Sequence, residues 1–307
     1  MPMAAHAQGQ ARGQRFVDPA VLARIGNLEL IARVVVDGFV SGLHRSPMLG
    51  MSVDFAEHRS YMPGDDVRRI DWRLFARTDR LYVKEFEADT NTNLHLLLDV
   101  SGSMNFGSGA LTKFDYARFL AASLAYLSRQ QRDRIGLTTF ADDIVDMIPP
   151  SMKHFNSVLQ ALERIDAAGP GRYLEPLAKI ALNLGRRSVV VLISDLYDRP
   201  ERLLGAIDQL RYRGNDLVVF HLLDPQELDL ELGDVSSVED LETGARLPIE
   251  TAQYRDQYRQ LVGEHRATLE RLFGANRIDY VFADISQPLD ELLFRYLCDR
   301  ERRSRTR

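Results

Sequence analysis

Two stretches decide the fold: Leu94-His95-Leu96-Leu97-Leu98-Asp99-Val100-Ser101-Gly102-Ser103 and Ser188-Val189-Val190-Val191-Leu192-Ile193-Ser194-Asp195. Each is a short, nearly continuous apolar run that ends abruptly in acids and hydroxyls. A run of this length, rich in branched side chains in the second case, reads as a strand buried on both faces, as in a parallel sheet. Helical spacing fills the intervals. Phe114–Arg129, 152–165, Leu174–Leu184, 201–212, 252–273 and 289–300 are predicted helices; Arg134–Phe140, 217–223 and 278–283 are further strands. Strands alternating with helices imply a doubly wound, mostly parallel α/β sheet covered on both faces.

Outward from this core, Ile144–Ile148 returns as a hairpin partner of the strand before it. Glu242-Thr243-Gly244-Ala245 marks a hairpin turn between short strands. On the N-terminal side, Asp18-Pro19 starts a helix that the apolar spacing carries to about Phe39. An irregular segment with Pro47, Gly50, Pro63 and Gly64 follows, then an alternating strand at 81–86. The organisation expected is a flexible tail at 1–16, an N-terminal helical and irregular/β extension at 17–92 packed on the main domain, the α/β domain at 93–300, and a basic tail at 301–307.

Composition narrows the classes. The 307 residues suffice for a full core without disulfides or metal staples. With 39 basic and 44 acidic residues the net charge is −5, which gives no electrostatic reason to expect nucleic acid or an anionic membrane as partner. A single cysteine, Cys298, excludes a disulfide framework and fits a reducing, cytoplasmic setting. No apolar run approaches the ~18 residues of a membrane span, and residues 1–15 lack the apolar core of a signal peptide.

In open α/β sheets ligands bind beyond the carboxyl ends of the strands. Asp99, Ser101 and Ser103 end one strand and Ser194-Asp195 another, so two carboxylates and three hydroxyls share a rim. Such hard oxygen donors suit Mg²⁺ or Mn²⁺. Taken alone, the same residues serve equally as turn and cap groups.

Asp99-x-Ser101-x-Ser103 resembles the metal-ion-dependent adhesion site of von Willebrand factor A domains. His44-Arg45-Ser46-Pro47, Phe55-Ala56-Glu57-His58-Arg59, Tyr61-x-Pro63-Gly64-Asp65-Asp66-x-Arg68-x-Ile70-Asp71-Trp72 and Ala76-Arg77-Thr78 narrow the match. Together they resemble the bacterial domain-of-unknown-function family fifty-eight, over nearly all of the chain after residue 17. The resemblance implies a von Willebrand A-like protein that works beside a MoxR-type AAA+ ATPase. On this basis Asp99, Ser101, Ser103 and Asp195 are the candidate metal ligands. The open metal position would take a carboxylate from an acidic protein ligand. The family's third element is a Thr in a loop before the helix preceding the central strand. Here Gly169-Pro170-Gly171-Arg172-Tyr173 places Arg172 there. An arginine cannot ligate Mg²⁺. Either it pairs with Asp99 or Asp195 and puts a protein cation in the site, or it points to solvent.

Residues 59–80 alternate in charge sign. This segment is a solvated face, or a docking surface using Arg68, Arg69 and Trp72, together with Arg172. Trp72 beside Ile70 more readily clamps the segment onto the α/β domain. Rival chemistries fit less well. Gly102 and Gly107 have a phosphate-loop gap, but Ser108-Gly109 follows instead of Lys-Ser or Lys-Thr, so these glycines are expected to make the loop flexible. Ser101 or Ser103 with His221 and Asp195 lacks the glycine spacing of a nucleophile elbow, and His221 reads as a satisfied sheet histidine. The reading reached is a non-enzymatic protein-binding adaptor; a metal-dependent phosphoesterase on the same acidic rim is the alternative.

Overall fold

The computed structural model describes residues 17–45, 57–60, 82–85, 92–211, 214–230, 237–242, 244–248 and 251–305. The chain begins with α1 (Pro19–Leu22), α2 (Leu28–Arg45) and an antiparallel pair, β1 (Glu57–Ser60) with β2 (Tyr82–Glu85). Then follow β3 (Asn93–Asp99), α3 (Lys113–Gln130), β4 (Arg134–Phe140), β5 (Ile144–Ser151), α4 (Phe155–Arg164), α5 (Leu174–Asn183) and β6 (Val189–Ser194). The last third holds α6 (Pro200–Arg211), β7 (Asp216–Leu223), α7 (Pro225–Asp229), β8 (Ser237–Glu239), β9 (Arg246–Pro248), α8 (Thr251–Ala275), β10 (Asp279–Asp284) and α9 (Leu289–Arg305).

Six strands form one sheet in the order β10-β7-β6-β3-β4-β5, all parallel except β5. β3 and β6 are therefore the central pair, with Leu94 opposite Val189 and Leu98 opposite Ile193. Alternation along the strands divides the apolar core in two. Leu96, Leu98, Val191 and Ile193 join the core shared with α2 and α3, whereas Leu97, Val190 and Leu192 face α5 and α6. At the antiparallel edge, the pairing of β4 with β5 is irregular around Gly136. A side chain there would meet Pro150 N at 2.8 Å and Ile148 O at 2.9 Å, so only glycine lets the proline-bearing edge strand approach.

The N-terminal helices add to the first core half through Leu22, Leu28, Ile31, Ala32 and Val35. Both Asp290 carboxylate oxygens accept the Val17 amide at 3.2 Å, pinning the start of the described chain to α9. The single helix expected from Asp18 to Phe39 is two helices. The Asp18 carboxylate caps the first, and Asn27 Oδ1 accepts the Leu30 amide at 2.8 Å to start the second after Gly26. The final helix runs to Arg305 instead of stopping at Arg300, so most of the expected basic tail is helical. Trp72, Arg68 and Arg69 lie outside the described residues. Among the described residues no helix is long and apolar enough to cross a membrane.

His95, within β3, is buried, and its Nε2 lies 2.9 Å from Thr138 Oγ1 on β4. Burial holds its pKa down at about 4, against an ordinary 6.5. The unfolded chain therefore takes up a proton in this window that the folded chain refuses. This stability is intact above pH 6.5 and is lost as pH falls towards 4, at up to about 1.4 kcal/mol per pH unit. Urea unfolding at stepped pH should show wild type losing stability faster than His95→Gln between those limits. Parallel curves for the two proteins would contradict the assignment.

Candidate functional site

The sheet order places a topological switch between β3 and β6. From β3 the chain builds outward to β4 and β5, then crosses back to β6 and builds the other way. Loops diverge at such a point and leave a crevice beyond the strand ends. Asp99 closes β3, and Ser194 closes β6 immediately before Asp195.

Asp99 is buried and tied down from three directions. Its Oδ1 accepts the Ser101 amide at 2.9 Å; its Oδ2 accepts the Ser194 hydroxyl at 2.7 Å and the Tyr173 hydroxyl at 3.1 Å. Burial and the neighbouring Asp195 carboxylate still push its pKa up to about 6, against the lowering effect of the Ser194 and Ser101 bonds. Ser101 precedes a 3₁₀ turn, Gly102–Asn105, and its Oγ lies 3.1 Å from that of Ser103. Ser103 is half-buried and brings the crevice to the surface. The structure thus gathers Asp99, Ser101 and Ser103 at one point, with Asp195 on the adjoining strand end.

Asp195 carries the larger surprise. Lys113, the first residue of α3, has no exposed side-chain surface, and its Nζ lies 2.7 Å from Asp195 Oδ2 and 2.6 Å from Glu227 Oε1. The ammonium also stands 4.8 Å from the centre of the Tyr197 ring. Burial alone would lower the Lys113 pKa, but the two carboxylates outweigh it and hold it above its ordinary value. Burial in turn raises Glu227, against the pull of Lys113. Glu227 Oε2 caps the Asp224 amide, and Asp224 accepts both the Ser108 amide and its hydroxyl. A chain of polar contacts thus runs from the loop after Ser103 to Asp195.

Arg172 does not fill the site. It is exposed, and among the described residues its one contact is through the backbone amide, which donates to Ala141 O at 3.1 Å. The protein cation at Asp195 is Lys113, and the hydroxyl supplied by the loop comes from Tyr173, one residue beyond the expected Thr. Nor are the loop glycines there for flexibility. A side chain at Gly107 would meet Leu111 O at 2.3 Å, and one at Gly102 would meet Leu241 O at 2.6 Å. His221 is buried, 2.7 Å from the Tyr280 hydroxyl, and burial lowers its pKa to about 3.

The donors suit a hard divalent cation. Adjacent oxygens around Mg²⁺ at 2.0–2.1 Å are about 3 Å apart, the separation of the two serine hydroxyls. Among the described residues Asp195 Oδ1 is buried with no hydrogen-bond partner, an orphaned acceptor of the kind that an ion or its water satisfies. No group of three His, Cys, Asp or Glu side chains is placed to hold a metal among the described residues. Ser101 and Ser103 would therefore be the principal ligands, with Asp99 and Asp195 supplying charge.

Lys113 gives the sharpest stability test. Lys113→Met leaves two buried carboxylates uncompensated, which costs about 3–5 kcal/mol. Adding Asp195→Asn and Glu227→Gln to that variant should restore part of the loss in urea unfolding. A loss below about 1 kcal/mol in the single variant would place the trio in solvent.

Residues 57–268 match the family model described as "Protein of unknown function DUF58". The chain is 30% identical over 283 residues to the uncharacterized protein Rv1480 of Mycobacterium tuberculosis, spanning 88% of this chain and 86% of that one. It is 31% identical over 140 residues to the uncharacterized protein YeaD of Bacillus subtilis, or 44% of this chain and 33% of the other. Among solved structures, it is similar to an aerotolerance-related membrane protein of Bacteroides fragilis, with a TM-score of 0.48 and 16% identity, covering 68% of this chain and 99% of that one. BatB of Bacteroides thetaiotaomicron gives a TM-score of 0.44 and 17% identity, over 68% and 98%. The family model spans more than half of the sequence, and the chain belongs to the DUF58 family.

Proposed function

We propose that this chain is a non-enzymatic, cytoplasmic protein-binding adaptor whose rim accepts an acidic side chain from a partner. In this reading Ser101, Ser103, Asp99 and Asp195 hold Mg²⁺ or Mn²⁺, and the partner machinery is a MoxR-type AAA+ ATPase that drives assembly or maturation of other proteins. The observation that supports it is the pairing of two serine hydroxyls 3.1 Å apart with the partnerless, buried Asp195 Oδ1. Bound there, the ion supplies a positive centre for a carboxylate. The chain's own residues do the rest. Asp99 fixes the Ser101 turn, Lys113 fixes Asp195, and exposed Arg172 stands beside the crevice as a second contact for an acidic surface.

The phosphoesterase reading finds less support, because it needs a proton-transfer group beside the acids. His221 is buried against Tyr280 and is held neutral. Thermal unfolding tests the metal. A ligand at ~100 times its dissociation constant adds ~2.7 kcal/mol, so Mg²⁺ or Mn²⁺ should raise the wild-type midpoint by several degrees over EDTA. Asp99→Ala, compared with its own EDTA baseline, should show no such shift. An unmoved wild type would remove the metal from the proposal. Co-expression with the MoxR-type ATPase tests the partner: retention in ATP is expected, whereas metal-dependent turnover of a model phosphoester by the chain alone would favour an enzyme.

A further inference from the structure

The β8–β9 hairpin stands apart from the six-stranded sheet, yet its turn lies on the rim. Glu242 Oε2 accepts the Gly171 amide at 2.9 Å. The point that a Gly171 side chain would occupy is 2.9 Å from Glu242 Oε1 and 3.3 Å from Ser101 Oγ, so the carboxylate and the Ser101 hydroxyl border the same space in front of Gly171. The neighbouring Leu241 carbonyl rests on Gly102, where any side chain would push it away. The turn is built to present the acid. Asp240 Oδ1 accepts the Glu242 amide at 2.8 Å, the Asp240 carbonyl accepts the Gly244 amide at 2.8 Å, and Gly244 takes the left-handed conformation at φ +70°. Around this seat Ser237, Glu239, Asp240, Leu241 and Arg246 are exposed. A two-stranded hairpin is marginal on its own, so the contacts of its tip with Gly171 and Gly102 help to hold it in place.

We infer that Glu242 is this chain's own acidic ligand for the rim, and that a partner's carboxylate enters by displacing the β8–β9 turn. This rests on the reading of the rim as an acid receptor. A charge-assisted bond from one carboxylate to one backbone amide is strong enough to hold a tethered segment and weak enough to be exchanged. Tethering makes the turn a competitor of roughly millimolar effective concentration, so an external acid binds the closed rim more weakly than the opened one.

The probe is a fluorescent peptide with the hairpin sequence, Ser237 to Pro248, added in trans to the full chain with Mg²⁺. It should bind the Glu242→Ala protein at least tenfold more tightly than wild type, and the same peptide carrying Glu242→Ala should bind neither. Hydrogen exchange supplies a second readout: in Glu242→Ala the Gly171 amide and the 237–248 amides should exchange faster, with β3 and β6 unchanged. Equal peptide affinity for both proteins, no binding to either, or unaltered exchange would each overturn the inference. Retention of the ATPase separates this from failure of the underlying reading. If wild type and Glu242→Ala retain it equally, the adaptor stands and the displaced turn falls. If neither retains it while the peptide binds as expected, the turn stands and the ATPase partnership falls.

Discussion

Much of this architecture hangs on the Asp99 carboxylate. Burying it costs several kcal/mol unless its lone pairs are met. Its donors come from three separate places: the turn after β3, the end of β6, and the residue that opens α5. Each donor can arrive only if the two central strands pair in their observed register and the loop before α5 crosses the strand ends. The bond network therefore fixes the geometry of the switch point, and the switch point supplies the crevice. A site built this way stands on rigid strand ends, which is where precise positioning is least costly.

Lys113 imposes a second constraint. A cation on the first residue of a helix opposes the helix dipole, which favours negative charge at that end. It is also fully buried. Two carboxylates overcome both penalties, and in doing so they join α3 to the end of β6 and to α7. The balance stays acidic: Asp195 and Glu227 share the one ammonium, and Asp99 feels the charge of Asp195. Burial first and the Asp195 charge second push Asp99 up, and among the described residues Asp195 Oδ1 is left without a donor. A neutral partner surface would do little for such a site, whereas a positive centre would relieve it.

The sheet was legible because its strands are apolar on both faces and end in abrupt polar pairs; Leu94–Ser103 and Ser188–Asp195 carry that signal without help from any neighbour. The Ser101–Ser103 pair was legible for the same reason, since the residues are adjacent in sequence. What escaped were contacts made across long separations. Lys113 reads as an ordinary helix start after Thr112, although a lysine at the positive end of a helix is itself a flag that acids are close. Tyr173 was hidden by the apparent departure at Arg172: the loop delivers its hydroxyl one residue later and from a longer side chain. Glu227 looks like the acidic half of a capping box, which it also is. Glu242 sits in a recognisable turn, but nothing local says where that turn comes to rest. Gly102 and Gly107 suggest mobility in sequence, and only the packed backbone shows that they permit close approach.

On the proposed reading of the rim as an acid receptor, the acidic turn would also bear on selectivity. A receptor for carboxylates faces a cell full of exposed Asp and Glu, and a single ionic contact at the surface discriminates poorly among them. A resident carboxylate at high local concentration removes the weak candidates, because each must outcompete it before gaining anything. A successful partner then needs contacts beyond the acid itself. Exposed Arg172 on one side of the crevice and half-exposed Leu241 on the turn would offer one charged and one apolar contact where the proposed displacement takes place. Specificity in this arrangement comes from what surrounds the carboxylate, and the rim chemistry supplies only the common anchor.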